Sequence, residues 1–203
     1  VNRGDIYRTI GRLDASIQDL NRAIQLNPNY FYAYKSRSRS FRLQRNYAQA
    51  LADVNKSLEI SPDYFLGYLE RGLLYLETNQ GELAIKDFKK MIALHPEKSI
   101  GYQYAGWGSY LLGNLEESLH YTQKCLQLDK DNLPAKFNLA LIHLSLGNIS
   151  KSKQLFKHAY AIHKKLYGKK AVTVTSTLRA YAQNGKFADQ AKEILRKVFK
   201  EEI

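Results

Sequence analysis

The stretch ALADVNKSLEI, residues 50–60, places Ala50, Val54, Ser57, Leu58 and Ile60 near i, i+4, i+7 and i+8, which traces one face of a helix. Segments of this kind recur along the chain, separated by short breaks. They are TIGR (9–12), QRNY (44–47), TNQG (78–81), LLGN (111–114), SLGN (145–148) and QNGK (183–186), each with a Gly or Asn able to take the left-handed conformation that ends a helix. The pattern therefore predicts helices throughout, arranged two by two.

The pairs repeat. AIQLNPNY at 23–30 returns as SLEISPDY at 57–64, MIALHPEK at 91–98 and CLQLDKDN at 125–132. Pro28, Pro62 and Pro96 stand 34 residues apart, with Lys130 at the next equivalent place. Small residues hold the same phase at Gly4, Ser38, Gly72, Gly106 and Ala140, and again at Ser16, Ala50, Ala84, Ser118 and Ser152. A third phase runs through Ala23, Ser57, Met91, Cys125 and Ala159, small at every place but Met91, and large apolar residues keep step at Leu26, Ile60, Leu94, Leu128 and Ile162. A fixed period of this length marks a stacked array whose units cannot bury an apolar face alone. The small residues let the helices of a pair approach closely, and a bulky one there would force them apart. The prolines follow each second helix, where a missing N–H does no harm.

These residues carry a resemblance to the tetratricopeptide-repeat (TPR) family. Its pattern of Leu-Gly-x-x-Tyr, Ala-x-x-x-Phe and Pro is echoed by Gly4 with Tyr7, Ser38 with Phe41, Gly72 with Tyr75, Ala84 with Phe88, and Ala50 with Pro62. Ser109 and His143 stand where Tyr is expected, and Thr122 where Phe is expected. The resemblance implies an all-α fold, a right-handed superhelical solenoid of antiparallel helix pairs with the first helix of each pair lining a concave groove. About five to six repeats are expected in a single domain over 1–203, at 1–30 (truncated), 31–64, 65–98, 99–132, 133–170 and 171–203 (degenerate or capping). Gly147 to Gly185 is 38 residues, and AYAIHKKLYGKKAVTVTSTLRAYAQNGKF resembles the longer kinesin-light-chain style of repeat. Its second helix is expected to run on, with a turn around 167–170 before a last pair near 171–183 and 187–200.

The groove places of a TPR unit divide the expected groove in two. The second unit offers Tyr32, Lys35, Arg39 and Arg42, a basic stripe; the third offers Leu66, Leu69, Leu73 and Leu76. The fourth offers Tyr104, Trp107 and Tyr110, and the fifth Phe137, Leu141 and Leu144. A solvated face would be polar, so an apolar and aromatic groove is a candidate surface for a protein or peptide partner, with an acidic group set against Lys35, Arg39 and Arg42. Packing between neighbouring hairpins, or occupation of the groove by a chain end, are the alternatives. The carboxylate clamp by which TPR co-chaperones hold heat-shock chaperones is not expected, since the corresponding places read Val1, Asp5, Ser36, Leu66 and Glu70. The asparagine ladder of O-linked N-acetylglucosamine transferase is matched only at Asn2 and Asn138 of Asn2, Ser36, Glu70, Tyr104 and Asn138.

Charge adds a rival reading. The net charge is +12, and no Asp or Glu occurs between Asp131 and Asp189, where Lys151, Lys153, Lys157, Lys164, Lys165, Lys169 and Lys170 fall. Such a field attracts anionic partners of any kind. In YKSRSRSFRLQRNY, Lys35, Arg37, Arg39, Arg42 and Arg45 alternate with Tyr34, Phe41 and Tyr47, the mixture that RNA binding requires, so nucleic acid is the second candidate partner. Against it, the aromatics hold regular packing phases and most of the lysines fall on a second helix.

The chemistry of an enzyme is not apparent in the residues. His95, His120, His143, His158 and His163 contain no i, i+4 pair, and Cys125 holds a recurring small core place. No phosphate-binding loop or nucleophile elbow appears, so no catalytic residue, cofactor or metal is expected. No run approaches the roughly 18 apolar residues of a membrane span. The single cysteine suits a reducing compartment, and a cytoplasmic location is expected. The sequence thus points to a non-catalytic interaction module, or to a scaffold segment of a larger protein.

Overall fold

The computed structural model describes residues 1–167, 178–179, 182–183 and 187–199, among which every regular element is helical. The helices run in pairs: α1 (Asn2–Thr9) with α2 (Leu13–Leu26), α3 (Phe31–Leu43) with α4 (Tyr47–Ile60), α5 (Phe65–Glu77) with α6 (Gly81–Leu94), α7 (Ser99–Leu111) with α8 (Leu115–Leu128), and α9 (Leu133–Ser145) with α10 (Ile149–Tyr167). A final helix α11 (Ala188–Ile194) continues as a π-helical turn over Leu195–Phe199. The chain forms two compact units, Val1–Tyr104 and Ala105–Ile203, the border falling inside α7.

One device closes α1, α3, α5, α7 and α9. Gly11, Arg45, Asn79, Gly113 and Gly147, spaced by 34, all have φ between +58° and +79°. The next N–H then reaches back five residues, from Arg12 to Tyr7 O, Asn46 to Phe41 O, Gln80 to Tyr75 O, Asn114 to Ser109 O and Asn148 to His143 O, at 2.7–2.9 Å. This satisfies carbonyls that the helix end would leave unpaired. At helix starts, α4 and α9 carry side-chain caps, the Asn46 and Asn132 side chains accepting from the N–H of Gln49 and Ala135.

The in-phase small residues form the seams. Built onto Gly72, a methyl group would lie 2.4 Å from Cε1 of Phe88, and on Gly106 it would lie 2.7 Å from Oγ1 of Thr122. Serines in these phases donate across the same seams, Ser38 to Ala50 O, Ser118 to Gly106 O and Ser152 to Ala140 O, at 2.7–2.8 Å. Ala50, Ala84 and Ala140 are fully buried. The phase beginning at Leu26 behaves differently: Leu26 is 71% and Leu128 40% exposed, so this apolar phase is not sealed at every unit.

A second ladder escaped the apolar count. Arg3, Arg37 and Arg71, 34 apart, each grip an Asp sixteen residues on, through paired nitrogens to Asp19, Asp53 and Asp87 at 2.6–2.8 Å. Arg37 and Arg71 also donate to Asn21 and Asn55 of the preceding pair. Two-pronged pairing of this kind fixes register as well as adding energy. At the next phase Ala105 and Tyr121 replace the pair.

The second helix of the fifth pair runs on as expected, α10 having 19 residues against 14 for α8. Of the expected turn at 167–170, Tyr167 is the last residue of α10 and 168–170 lie outside the described residues, as does most of the expected helix at 171–183.

Candidate functional site

In the unit Val1–Tyr104, the first helices α1, α3 and α5 are neighbours, with α3 in contact with both others. On α3, Tyr32 and Arg39 are exposed and Lys35 is half-buried; on α5, Leu66, Leu69, Leu73 and Leu76 are all half-buried. Tyr104, at the end of the unit, is half-buried with its ring 5.6 Å from that of Phe88. Four leucines at i, i+3, i+7 and i+10 line one face of α5, because consecutive members of that series are one helical turn apart. Their partial exposure leaves an apolar stripe beside the cations of α3.

The charges there are not all available. Arg42 donates from Nε to Glu70 at 2.6 Å and from Nη1 to Glu77 at 2.5 Å, and its side chain is only 13% exposed. The expectation that Arg42 would meet a guest's acidic group is therefore corrected, because α5 already supplies two carboxylates to it. Lys35 and Arg39 make no hydrogen bond or ion pair among the described residues. Lys35 lies with Nζ 5.1 Å from the Tyr32 ring centre, and burial pushes its ammonium below the usual lysine range. Arg39 and Arg8 push it the same way, opposed by Asp5 and Glu70. Arg37 sits 5.7 Å and 5.9 Å from the rings of Tyr34 and Phe41 while held by Asp53 and Asn21, so much of the cation and aromatic mixture seen in the sequence is spent on internal packing.

In the unit Ala105–Ile203, Trp107 is half-buried and stacked on Tyr110, with ring centres 5.6 Å apart and planes 20° apart. Tyr110 and Phe137 are buried, and Leu141 and Leu144 are completely so. Reading these four as open groove positions is corrected. They join a core with Phe156, Leu178, Ile194, Leu195 and Phe199, and the Phe199 ring lies 6.3 Å from Phe137 and 4.8 Å from Tyr160. The last described helical segment thus packs on α10 and reaches Phe137 of α9 with Phe199, and Glu193 ties it to α10 by pairing with Lys153.

The remaining reactive groups are placed as packing residues. Cys125 is fully buried, and burial pushes its thiol up to about 12, with Asp129 adding to the effect. His143 is buried against Asn148, with 3.3 Å between Nδ2 of Asn148 and Nδ1 of His143, and its ring titrates below the usual range because of burial and then Lys151. A pocket of about 150 Å³ between α4 and α5 is lined by Tyr47, Ala48, Leu51, Leu74, Tyr75, Thr78 and Gln80, and carries neither carboxylate nor imidazole. Among the described residues no group of three His, Cys, Asp or Glu converges to hold a metal, and no helix is long and apolar enough to cross a membrane.

Helix pairs locked by a period of 34, with small residues in their seams, define an all-α repeat protein of the solenoid class. Two family models match the chain, one described as "TPR repeat" over residues 4–37 and one as "Tetratricopeptide repeat" over 138–170. No curated protein matches in sequence. Among solved structures, MamA of Desulfovibrio magneticus RS-1 is similar at 16% identity and a TM-score of 0.70, covering 81% of this chain and 93% of that one. TTC0263, a thermophilic TPR protein of Thermus thermophilus, gives 20% identity and a TM-score of 0.66 over 96% and 94%. YrrB, titled a TPR protein with an unusual peptide-binding site, gives 19% and 0.60 over 89% and 91%. The chain carries tetratricopeptide repeats, and proteins built of them are generally non-catalytic interaction modules.

Proposed function

We propose that this protein is a non-catalytic module that binds a peptide or amphipathic helix of acidic character on the inner faces of α3 and α5. The observation that carries the reading is the α5 stripe of Leu66, Leu69, Leu73 and Leu76, left half-exposed while a separate in-phase set fills the seams, next to two cations without partners among the described residues. An amphipathic segment buries its apolar side on the leucines and sets its acidic side toward α3. The peptide-binding site named for YrrB supports the same reading by analogy of fold. Nucleic acid is disfavoured as the guest because Arg37, Arg42 and Arg71 are engaged with Asp53, Glu70, Glu77 and Asp87.

Selection of peptides from a random display library against the full chain tests the proposal. Selected peptides should combine apolar residues with Asp or Glu, and the double variant Leu69→Ala with Leu73→Ala should weaken them at least about tenfold, the loss of two half-buried leucine contacts. Helicity by circular dichroism should be unchanged. Peptides that bind this variant as tightly as the parent chain would place the guest elsewhere.

A further inference from the structure

Several hydrogen-bond donors with no acceptor among the described residues gather where α1 and α3 meet the loop before α5. Nε of Arg8 and the hydroxyl of Tyr64 are both buried and unpartnered. Burial raises the Tyr64 phenol first and the neighbouring Tyr32 next, and the buried hydroxyl has no hydrogen-bond partner among the described residues. Lys35 and Arg39 carry full charges with no ion pair. The four belong to one neighbourhood. Arg8 and Arg39 both act on the charge of Lys35, and Asp5 and Glu70 act on both Lys35 and Tyr64. The Tyr32 ring lies 5.0 Å from the Tyr64 ring and 5.1 Å from Nζ of Lys35. Buried donors in native proteins are nearly always satisfied, so Arg8 Nε and the Tyr64 hydroxyl are missing an acceptor, and the half-buried Lys35 and exposed Arg39 stand beside them without an ion pair.

Charge states what that acceptor is. The cations Arg8, Lys35, Arg39 and Arg42 face the carboxylates Asp5, Glu70 and Glu77, where Asp5 is engaged by Arg8 at 3.3 Å and both glutamates by Arg42. One positive charge is left over. A single carboxylate neutralises it and offers about four lone-pair sites to the waiting donors. A phosphate, with a charge near −2, would leave the cluster net negative in a half-buried place.

We infer that Arg8, Lys35, Arg39 and the Tyr64 hydroxyl form a seat for one carboxylate of the acidic peptide, an Asp or Glu side chain. The seat rests on the reading of α3 and α5 as the docking face and assigns the residues that select its guest. It includes Arg8 and Tyr64, which lie outside the basic stripe read from the sequence, and it excludes Arg42.

The test uses the full chain and three fluorescein-labelled probes: a decamer of glutamate, a decamer of phosphoserine and a decamer of uridylate. In fluorescence anisotropy, Lys35→Gln with Arg39→Gln should weaken the glutamate decamer by about tenfold or more, as loss of charge-assisted hydrogen bonds requires. Lys157→Gln with Lys164→Gln removes the same charge from exposed positions of α10 and should change binding by less than about twofold. Tyr64→Phe, which alters no charge, should also weaken the glutamate decamer. Equal losses in the two charge variants would reduce the effect to the general basic field and overturn the seat. So would tighter, Lys35- and Arg39-dependent binding of either phosphate probe. The leucine variant Leu69→Ala with Leu73→Ala separates the two ideas. A library-selected peptide that needs the leucines but ignores Lys35 and Arg39 removes the seat and keeps the docking face, and the converse result keeps the seat and removes the α5 leucine stripe from the docking face.

Discussion

Gly72→Ala measures how tightly the α5–α6 seam is closed. A methyl group at this position would lie 2.4, 2.8 and 3.0 Å from Cε1, Cζ and Cδ1 of Phe88, so the ring must retreat by about 1 Å to reach ordinary contact. It has nowhere to go, being fully buried and in contact with the Tyr104 ring. Two effects compete. Replacing Gly by Ala inside a helix favours folding by about 1 kcal/mol, whereas overpacking a closed core costs about 1–3 kcal/mol. A rigid ring hit along its edge belongs at the upper end, so a net loss of about 2 kcal/mol is expected. Repeat arrays need not unfold in one step, so the suitable assay is native-state hydrogen exchange at the amides of α5 and α6, with urea denaturation followed by circular dichroism alongside. Phe88→Leu in the Gly72→Ala background should cost less than the sum of the two single changes, because the smaller side chain makes room for the methyl group. Increased protection in Gly72→Ala, by the roughly 1 kcal/mol that helix propensity alone supplies, would refute the view that in-phase small residues are demanded by the seams.

Three further outcomes are expected. Arg45→Gly should stabilise the α3–α4 turn by about 0.5–1 kcal/mol, since Arg45 has φ of +59° and an L side chain is strained there; Asn79→Gly should gain less, and urea midpoints give the comparison. Cys125, with its thiol near 12, should not react with Ellman's reagent at about pH 8 in the native protein and should give one equivalent after unfolding; rapid native reaction would contradict its burial. His143 has a folded pKa below 6.5, so the unfolded chain binds more protons between that lowered value and 6.5. Its contribution to stability is present above pH 6.5 and is lost as pH falls through that window, which ring-proton titration by NMR and urea midpoints at about pH 7 and pH 5 will check.

The helix pairs and their seams were legible in the sequence because a solenoid repeats its interior: each small residue recurs every 34 positions, and five in-phase copies outweigh any imperfect one. The left-handed turn residues at Gly11, Asn79, Gly113 and Gly147 were legible for the same reason, but in QRNY the residue expected to turn, Asn46, caps the next helix with φ of −87° and Arg45 takes the left-handed conformation. Groove positions were less so, because their exposure depends on what lies across from them. Arg42 occupies the place of a groove cation, but its partners Glu70 and Glu77 come from the next pair and leave no trace in an apolar count. Charge read at a separation of sixteen would have found the ladder of Arg3, Arg37 and Arg71. Phe137, Leu141 and Leu144 hold groove phases too, yet they share a core with Ile194, Leu195 and Phe199 of a helical segment that lies outside the strict 34-residue phase. Tyr64 gave no signal at all in the sequence, since its importance lies in a hydroxyl that finds no acceptor among the described residues.

Photo-crosslinking tests the central claim most directly. A benzoyl-bearing phenylalanine analogue placed at position 39 or 73 of the full chain, on the proposed docking side of α3 and α5, should capture a library-selected peptide in good yield. The same analogue at position 55 or 90, exposed on α4 and α6, should capture little. Equal or greater capture from positions 55 and 90 would contradict the account, because the guest would then lie against the second helices and not the first.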